Sequence, residues 1–122
     1  VAGPVGLGSA QAIQEQGDAW VIGVDTDWTF SAPEYEGVVL TSVVKRMDNA
    51  VYDTIELVMA PDFDTFSGPY VGTLNNDGVG ISPVAEGAVS QDVLDEVENI
   101  RQAIIDGEID TGWDAYLAAT SE

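Results

Sequence analysis

An α/β fold is predicted for this chain, with three layers in which helices cover both faces of a sheet. Two apolar runs carry the prediction. Trp20-Val-Ile-Gly-Val-Asp25 and Val38-Val-Leu-Thr-Ser-Val-Val-Lys45 each stop abruptly at a charged residue. Uninterrupted apolar runs suit strands buried on both faces, as in parallel sheets. Segments with helical spacing alternate with them, which is the pattern of βα units.

The elements follow in order. Gly3 to Gly8 is glycine-rich and forms a turn into a helix over about Leu7–Gln16, with Leu7, Ala10 and Ile13 as its buried stripe and Gly17 just past its end. A strand over Trp20–Val24 comes next, then a loop from Asp25 to about Gly37 that holds Trp28, Phe30, Pro33 and Tyr35, then a strand over Val38–Val44. Val51, Ile55, Val58 and Met59 recur at helical spacing within Met47–Met59, and Pro61 ends that helix. Phe63–Pro69 reads as a loop. Tyr70–Leu74 and Val79–Ser82 read as short strands joined by the turn Asn75-Asn-Asp-Gly78. The last long helix spans about Gln91–Asp106, with Ser90 as N-cap, Val93, Val97, Ile100 and Ile104 as its stripe, and Gly107 as its stop. Residues 108–122 are a tail, with Trp113, Tyr116 and Leu117 docking on the body.

Composition narrows the function. The 122 residues are one domain's worth of chain, large enough for a core. Cysteine and histidine are both absent, which removes disulfides, imidazole-ligated metal and Ser–His or Cys–His catalysis. Twenty-two Asp and Glu face three Lys and Arg, a formal net charge of −19. Phosphate backbones and anionic membranes need the opposite sign, so nucleic acid is excluded as a partner. The acids are scattered among apolar runs, which implies a folded acidic surface rather than a disordered tract. Such a surface fits a salt-adapted, halophilic chain; the alternative is an acidic protein from an ordinary habitat.

The best candidate site lies where the two runs end. Asp25 falls just past the first strand's carboxyl end, where open α/β sheets place ligands, and Lys45 falls at the matching point of the second. Opposite charges delivered to one sheet edge make a polar site. The plainer readings are a strand-end aspartate capping a turn and a structural ion pair of Lys45 with Asp25 or Asp48. D-x-D pairs at Asp25/Asp27 and Asp62/Asp64 have the spacing of hard-cation ligands, but 22 acids produce such pairs by chance, and no metal or cofactor is assigned. No nucleophile elbow or phosphate loop is present, so an enzyme is not expected.

The succession Ala2-Gly-Pro-Val-Gly-Leu-Gly8, Ile22-Gly-Val-Asp-Thr-Asp27, Leu40-Thr-Ser-Val-Val-Lys-Arg46 and Gly78-Val-Gly-Ile81 resembles the basic membrane protein family. These are PnrA-like substrate-binding lipoproteins of ABC transporters, typically specific for purine nucleosides. The resemblance covers residues 1–107 and matches roughly the carboxyl-terminal half of such a protein. It implies a type I periplasmic-binding-protein-like fold of two lobes, here incomplete. The missing amino-terminal half or another chain would then cover the core faces left open. It also implies an extracytoplasmic, surface-anchored protein that closes on its ligand and docks on the importer's membrane subunits, with segments such as Gly78–Ser82 serving as hinges.

By the same resemblance, Asp25 accepts from the ligand's ribose hydroxyls, and Lys45 contacts the ribose region and helps fix Asp25. A carboxylate suits a vicinal diol because it accepts from both hydroxyls without a proton of its own. Gly3 and Gly6 match a loop that usually reads Gly-Gly-Thr-Gly and brings backbone amides to the ligand. Here Pro4 removes one amide donor and Val5 replaces a hydroxyl, which changes ligand specificity more than fold. Trp28 is a candidate stacking group, with Phe30 and Tyr35 beside it; core packing or contact between lobes is the favoured reading of all three. A self-associating or partner-docked structural protein without transport function is the competing reading of the whole chain.

Overall fold

The computed structural model describes residues 5–61 and 69–120. It divides into two compact units, Val1–Ala88 and Val89–Glu122. The first unit runs α1 (Gly6–Gln16), β1 (Val21–Asp25), α2 (Trp28–Ser31), a 3₁₀ turn (Pro33–Val38), β2 (Val39–Lys45), α3 (Met47–Met59) and β3 (Val79–Ile81). The second holds α4 (Gln91–Ile105) and α5 (Trp113–Thr120).

The sheet is three-stranded in the order β1-β2-β3. β1 and β2 are parallel, pairing Gly23 with Ser42 and Asp25 with Val44, with a slip in register between Val21 and Ile22. β3 runs antiparallel to β2 and pairs Val43 with Ile81 and Lys45 with Val79. The expected α/β class holds. Both charged residues are the last members of their strands rather than the first loop residues.

The core of the first unit is small. Ala10, Trp28 and Val39 are buried, with Leu7, Val21, Val24 and Tyr35 packed around them. The indole alone removes roughly 200 Å² of mostly apolar surface, an upper bound of about 5 kcal/mol at 25 cal/mol/Å². Gly17 closes α1 at φ 82°, its N–H bonded to the Ile13 carbonyl at 2.8 Å, as its position predicts.

Two sequence expectations are corrected, and the tail gains an element. The segment 25–37 contains α2 and the 3₁₀ turn rather than only loop, because Asp27 accepts from the Thr29 N–H at 2.9 Å and so caps α2, and Pro33 opens the turn that follows. Tyr70–Leu74 is not a strand, and β3 pairs with β2 instead of forming a hairpin with it. The Asn76 amide takes the backbone groups a hairpin would use: its Oδ1 accepts from the N–H of Thr73 (2.7 Å) and Gly78 (3.1 Å), and its Nδ2 donates to the Val71 carbonyl (3.0 Å). The segment 108–122 contains α5, in which Trp113 and Tyr116 stack with ring centres 5.6 Å apart. The side chain of Leu117, and residues Gly3, Phe63 and the Asp62/Asp64 pair, lie outside what is described.

In the second unit Ser90 occupies the cap position of α4 in extended conformation, but its side chain makes no capping bond. Its carbonyl accepts from Val93 and Leu94.

Large apolar side chains remain open on two elements of the first unit. Ile22, Val43 and Ile81 lie on one face of the sheet and are 56%, 49% and 46% exposed. Val51, Ile55 and Val58 are exposed along α3, in the stripe their spacing predicts.

Candidate functional site at the carboxyl ends of the parallel strands

The geometry follows from β1 and β2 lying side by side. Parallel pairing of Asp25 with Val44 sets the two charged strand ends together, and Lys45 Nζ stands 2.7 Å from Asp25 Oδ1. Both side chains remain accessible, at 63% for Lys45 and 46% for Asp25, although Oδ1 itself is buried beneath the ammonium. Among the described residues Oδ1 has the Lys45 ammonium as its ion-pair partner and no other hydrogen-bond donor.

Asp25 has φ 73°, in the left-handed region. For a residue other than glycine this conformation costs about 1–2 kcal/mol, less for aspartate than for most. An ion pair as exposed as this one contributes roughly 0–1 kcal/mol. The arrangement therefore does not stabilise the fold by itself. Strain retained without a stabilising return is characteristic of binding and catalytic sites.

Of the other sequence-predicted residues, Gly6 and Trp28 come together, with Trp28 in the core and Gly6 half-buried beside it. A Cβ on Gly6 would lie 3.1 Å from Trp28 Cη2. Trp28 is only 8% exposed and spends its indole N–H on the Val24 carbonyl at 3.2 Å. The structure thus gives Trp28 a packing position, the reading favoured for it, while Phe30 is exposed. Asp27 is occupied as the cap of α2, its Oδ1 also accepting from the Thr29 hydroxyl at 2.8 Å. Among the described residues no cluster of acids has the makings of a metal site.

Sequence reasoning missed a set of buried hydroxyls. Ser42 is fully buried, and its Oγ accepts from the Trp28 N–H at 3.1 Å. Its own N–H donates to Ser82 Oγ at 2.9 Å, and Thr41 Oγ1 donates to the Ser82 carbonyl at 2.7 Å. The available signal was Thr41-Ser42 inside an otherwise apolar strand, since buried hydroxyls must find partners. A shallow recess of about 370 Å³ lies elsewhere, between Trp20, Phe30, Gly37 and Pro83. It includes neither Asp25 nor Lys45.

Residues 1–113 match the family described as ABC transporter substrate-binding protein, PnrA-like. Two similar relatives are the CD4+ T-cell-stimulating antigens of Listeria monocytogenes and Listeria innocua, each 41% identical over 96 residues. Each match covers 74% of this chain and 26% of the relative, so the chain spans about a quarter of the length of the curated relatives it matches. No solved structure matches it. Among the described residues no helix is long and apolar enough to cross a membrane. With the family matched across nearly the whole chain, this chain belongs to the PnrA-like substrate-binding proteins of ABC transporters.

Proposed function

We propose that the chain forms part of the binding site for a nucleoside-like ligand, held between two lobes and delivered to an ABC importer on the outer side of the cytoplasmic membrane. The observation that carries this reading is the Asp25–Lys45 pair at the carboxyl ends of parallel strands, with Asp25 kept at φ 73°. The free Asp25 oxygen accepts from a ribose hydroxyl while the buried one stays with Lys45, whose remaining protons reach a second ligand oxygen. Such charge-assisted bonds contribute roughly 1.5–3 kcal/mol each. Residues beyond those present here supply base recognition, and the exposed faces of the sheet and of α3 receive that polypeptide. A lipoprotein anchor at the cell surface and adaptation to high salt belong to the same reading.

Calorimetric titration of inosine at molar salt tests it, with the chain alone and with the remaining polypeptide of a family member added. Binding that weakens at least tenfold in Asp25→Ala and in Lys45→Met is the expected result. No heat under either condition overturns it.

A second reading has its own observation. Apolar surface at Ile22, Val43, Ile81 and along α3 fits a chain that associates with another, without transport. A monomer whose mass by light scattering does not change with concentration removes this alternative.

A further inference from the structure

We infer that Trp28 and Ser42 are positioning residues that hold Asp25 in its left-handed conformation and so set its carboxylate against Lys45. The role for a ligand rests on the reading above; the conformational claim does not.

Only two residues, Thr26 and Asp27, separate Asp25 at the end of β1 from α2. Trp28 grips both sides of this connection. Its indole N–H donates to the carbonyl of Val24, the residue before Asp25, at 3.2 Å. Its backbone N–H donates to Ser42 Oγ, on the neighbouring strand, at 3.1 Å. Between Val24 and Trp28 the chain must therefore leave β1 and turn the Trp28 N–H toward β2. Asp27 is already committed to capping α2, and a left-handed Asp25 supplies the reversal.

Ser42 can serve as an anchor because it does not move on its own. It is fully buried, its N–H donates to Ser82 Oγ, and its carbonyl accepts from the Ser82 N–H at 2.8 Å. Gly23 leaves the room, since a Cβ there would stand 2.4 Å from Ser42 Oγ and 2.6 Å from Trp28 Cγ. A line of hydrogen bonds thus runs from Ser82 through Ser42 and Trp28 to the carbonyl of Val24, the residue before Asp25. Truncating Ser42 orphans a buried N–H, a loss sufficient to release a conformation that costs about as much to hold.

The test is spectroscopic, on the labelled full chain. The three-bond amide–α-proton coupling and carbon shifts of Asp25 report its φ in wild type, Ser42→Ala, Trp28→Phe and the control Val39→Ala. Val39 belongs to the same core cluster but not to the clamp. Both clamp variants are expected to move Asp25 toward extended values and to weaken inosine binding about tenfold, while Val39→Ala lowers stability and leaves Asp25 unchanged. An Asp25 signal unmoved in the clamp variants, or moved equally by Val39→Ala, overturns the inference. Should Ser42→Ala and Trp28→Phe fail to fold, hydrogen exchange in wild type decides. The Trp28 amide and indole protons should exchange as slowly as the amides of β2, and exchange at loop rates overturns the clamp. If wild type binds no inosine but the φ readout behaves as stated, the ligand reading fails and the clamp stands.

Discussion

A Cβ on Gly23 would stand 2.4 Å from the hydroxyl oxygen of Ser42, its register partner on β2. No side chain can occupy that space without displacing either Ser42, which is tied to Ser82, or the Trp28 ring. Overpacking of a closed core costs about 1–3 kcal/mol. Gly23→Ala is therefore expected to lower unfolding stability by about 2 kcal/mol in urea titration, whereas Ala at Gly37, where a Cβ meets nothing within 4 Å, leaves it nearly unchanged.

Replacing Asp25 by glycine separates stability from binding. Glycine adopts φ 73° without the steric cost borne by aspartate, and the ion pair lost is an exposed one. Stability should hold level or rise by up to about 1 kcal/mol, while inosine affinity falls at least tenfold. A large loss of stability would mean that the pair with Lys45 serves the fold.

How far these relationships could be read in the sequence differs by element. Both ends of α3 were legible, because Pro61 and a regular apolar spacing bound it. The strand ends at Asp25 and Lys45 were legible as well, since each apolar run stops at a charge. α2 was not: four residues are too few for periodicity, and its only sequence mark is Asp27 ahead of Trp28-Thr29. Its aromatics consequently read as either core or ligand-facing, and Trp28 stands in the core. Tyr70–Leu74 failed for another reason. Its alternation is strand-like, but the decision rests with one side chain, Asn76, whose bonds to the backbone of residues 71, 73 and 78 no periodicity reveals. The site was legible as two charges and illegible as a support, because Ser42 looks like any polar residue in a strand until its partners are known.

Alkaline pH should destabilise the fold through two tyrosines near α3. Tyr52 is held above the ordinary tyrosine value of about 10 chiefly by its hydrogen bond to Glu56, one turn along the helix, and then by that carboxylate's charge. Tyr70 is raised chiefly by desolvation and then by its hydrogen bond to Asp53, with the hydroxyl 3.1 Å from Oδ2. A folded value above the unfolded one means stability that is complete below the unfolded value and lost as pH rises through the folded value. Unfolding midpoints should accordingly fall above about pH 10. Tyr52→Phe and Tyr70→Phe should each flatten the decline, and absorbance titration should show the latest-ionising phenols missing in the variants. A decline of equal slope in wild type and both variants would trace the effect to overall charge instead.

Overall charge has a test of its own. With 22 acids and three bases, most charge pairs on this chain repel. Two like charges 10 Å apart cost only about 0.4 kcal/mol in water, but a net −19 multiplies such pairs many times over. Raising the ionic strength from 0.1 M to 1 M shortens the screening length from about 10 Å to about 3 Å. That removes nearly all this repulsion. It also weakens the ion pairs Asp25–Lys45 and Glu98–Arg101, but both are exposed and contribute roughly 0–1 kcal/mol each, so repulsion sets the sign. The unfolding midpoint should therefore climb between low and molar sodium chloride. Chloride is the appropriate salt, because sulfate would also strengthen apolar burial and confuse the two effects. A midpoint that stays level or falls would show that the acidic surface is spaced widely enough to need no salt.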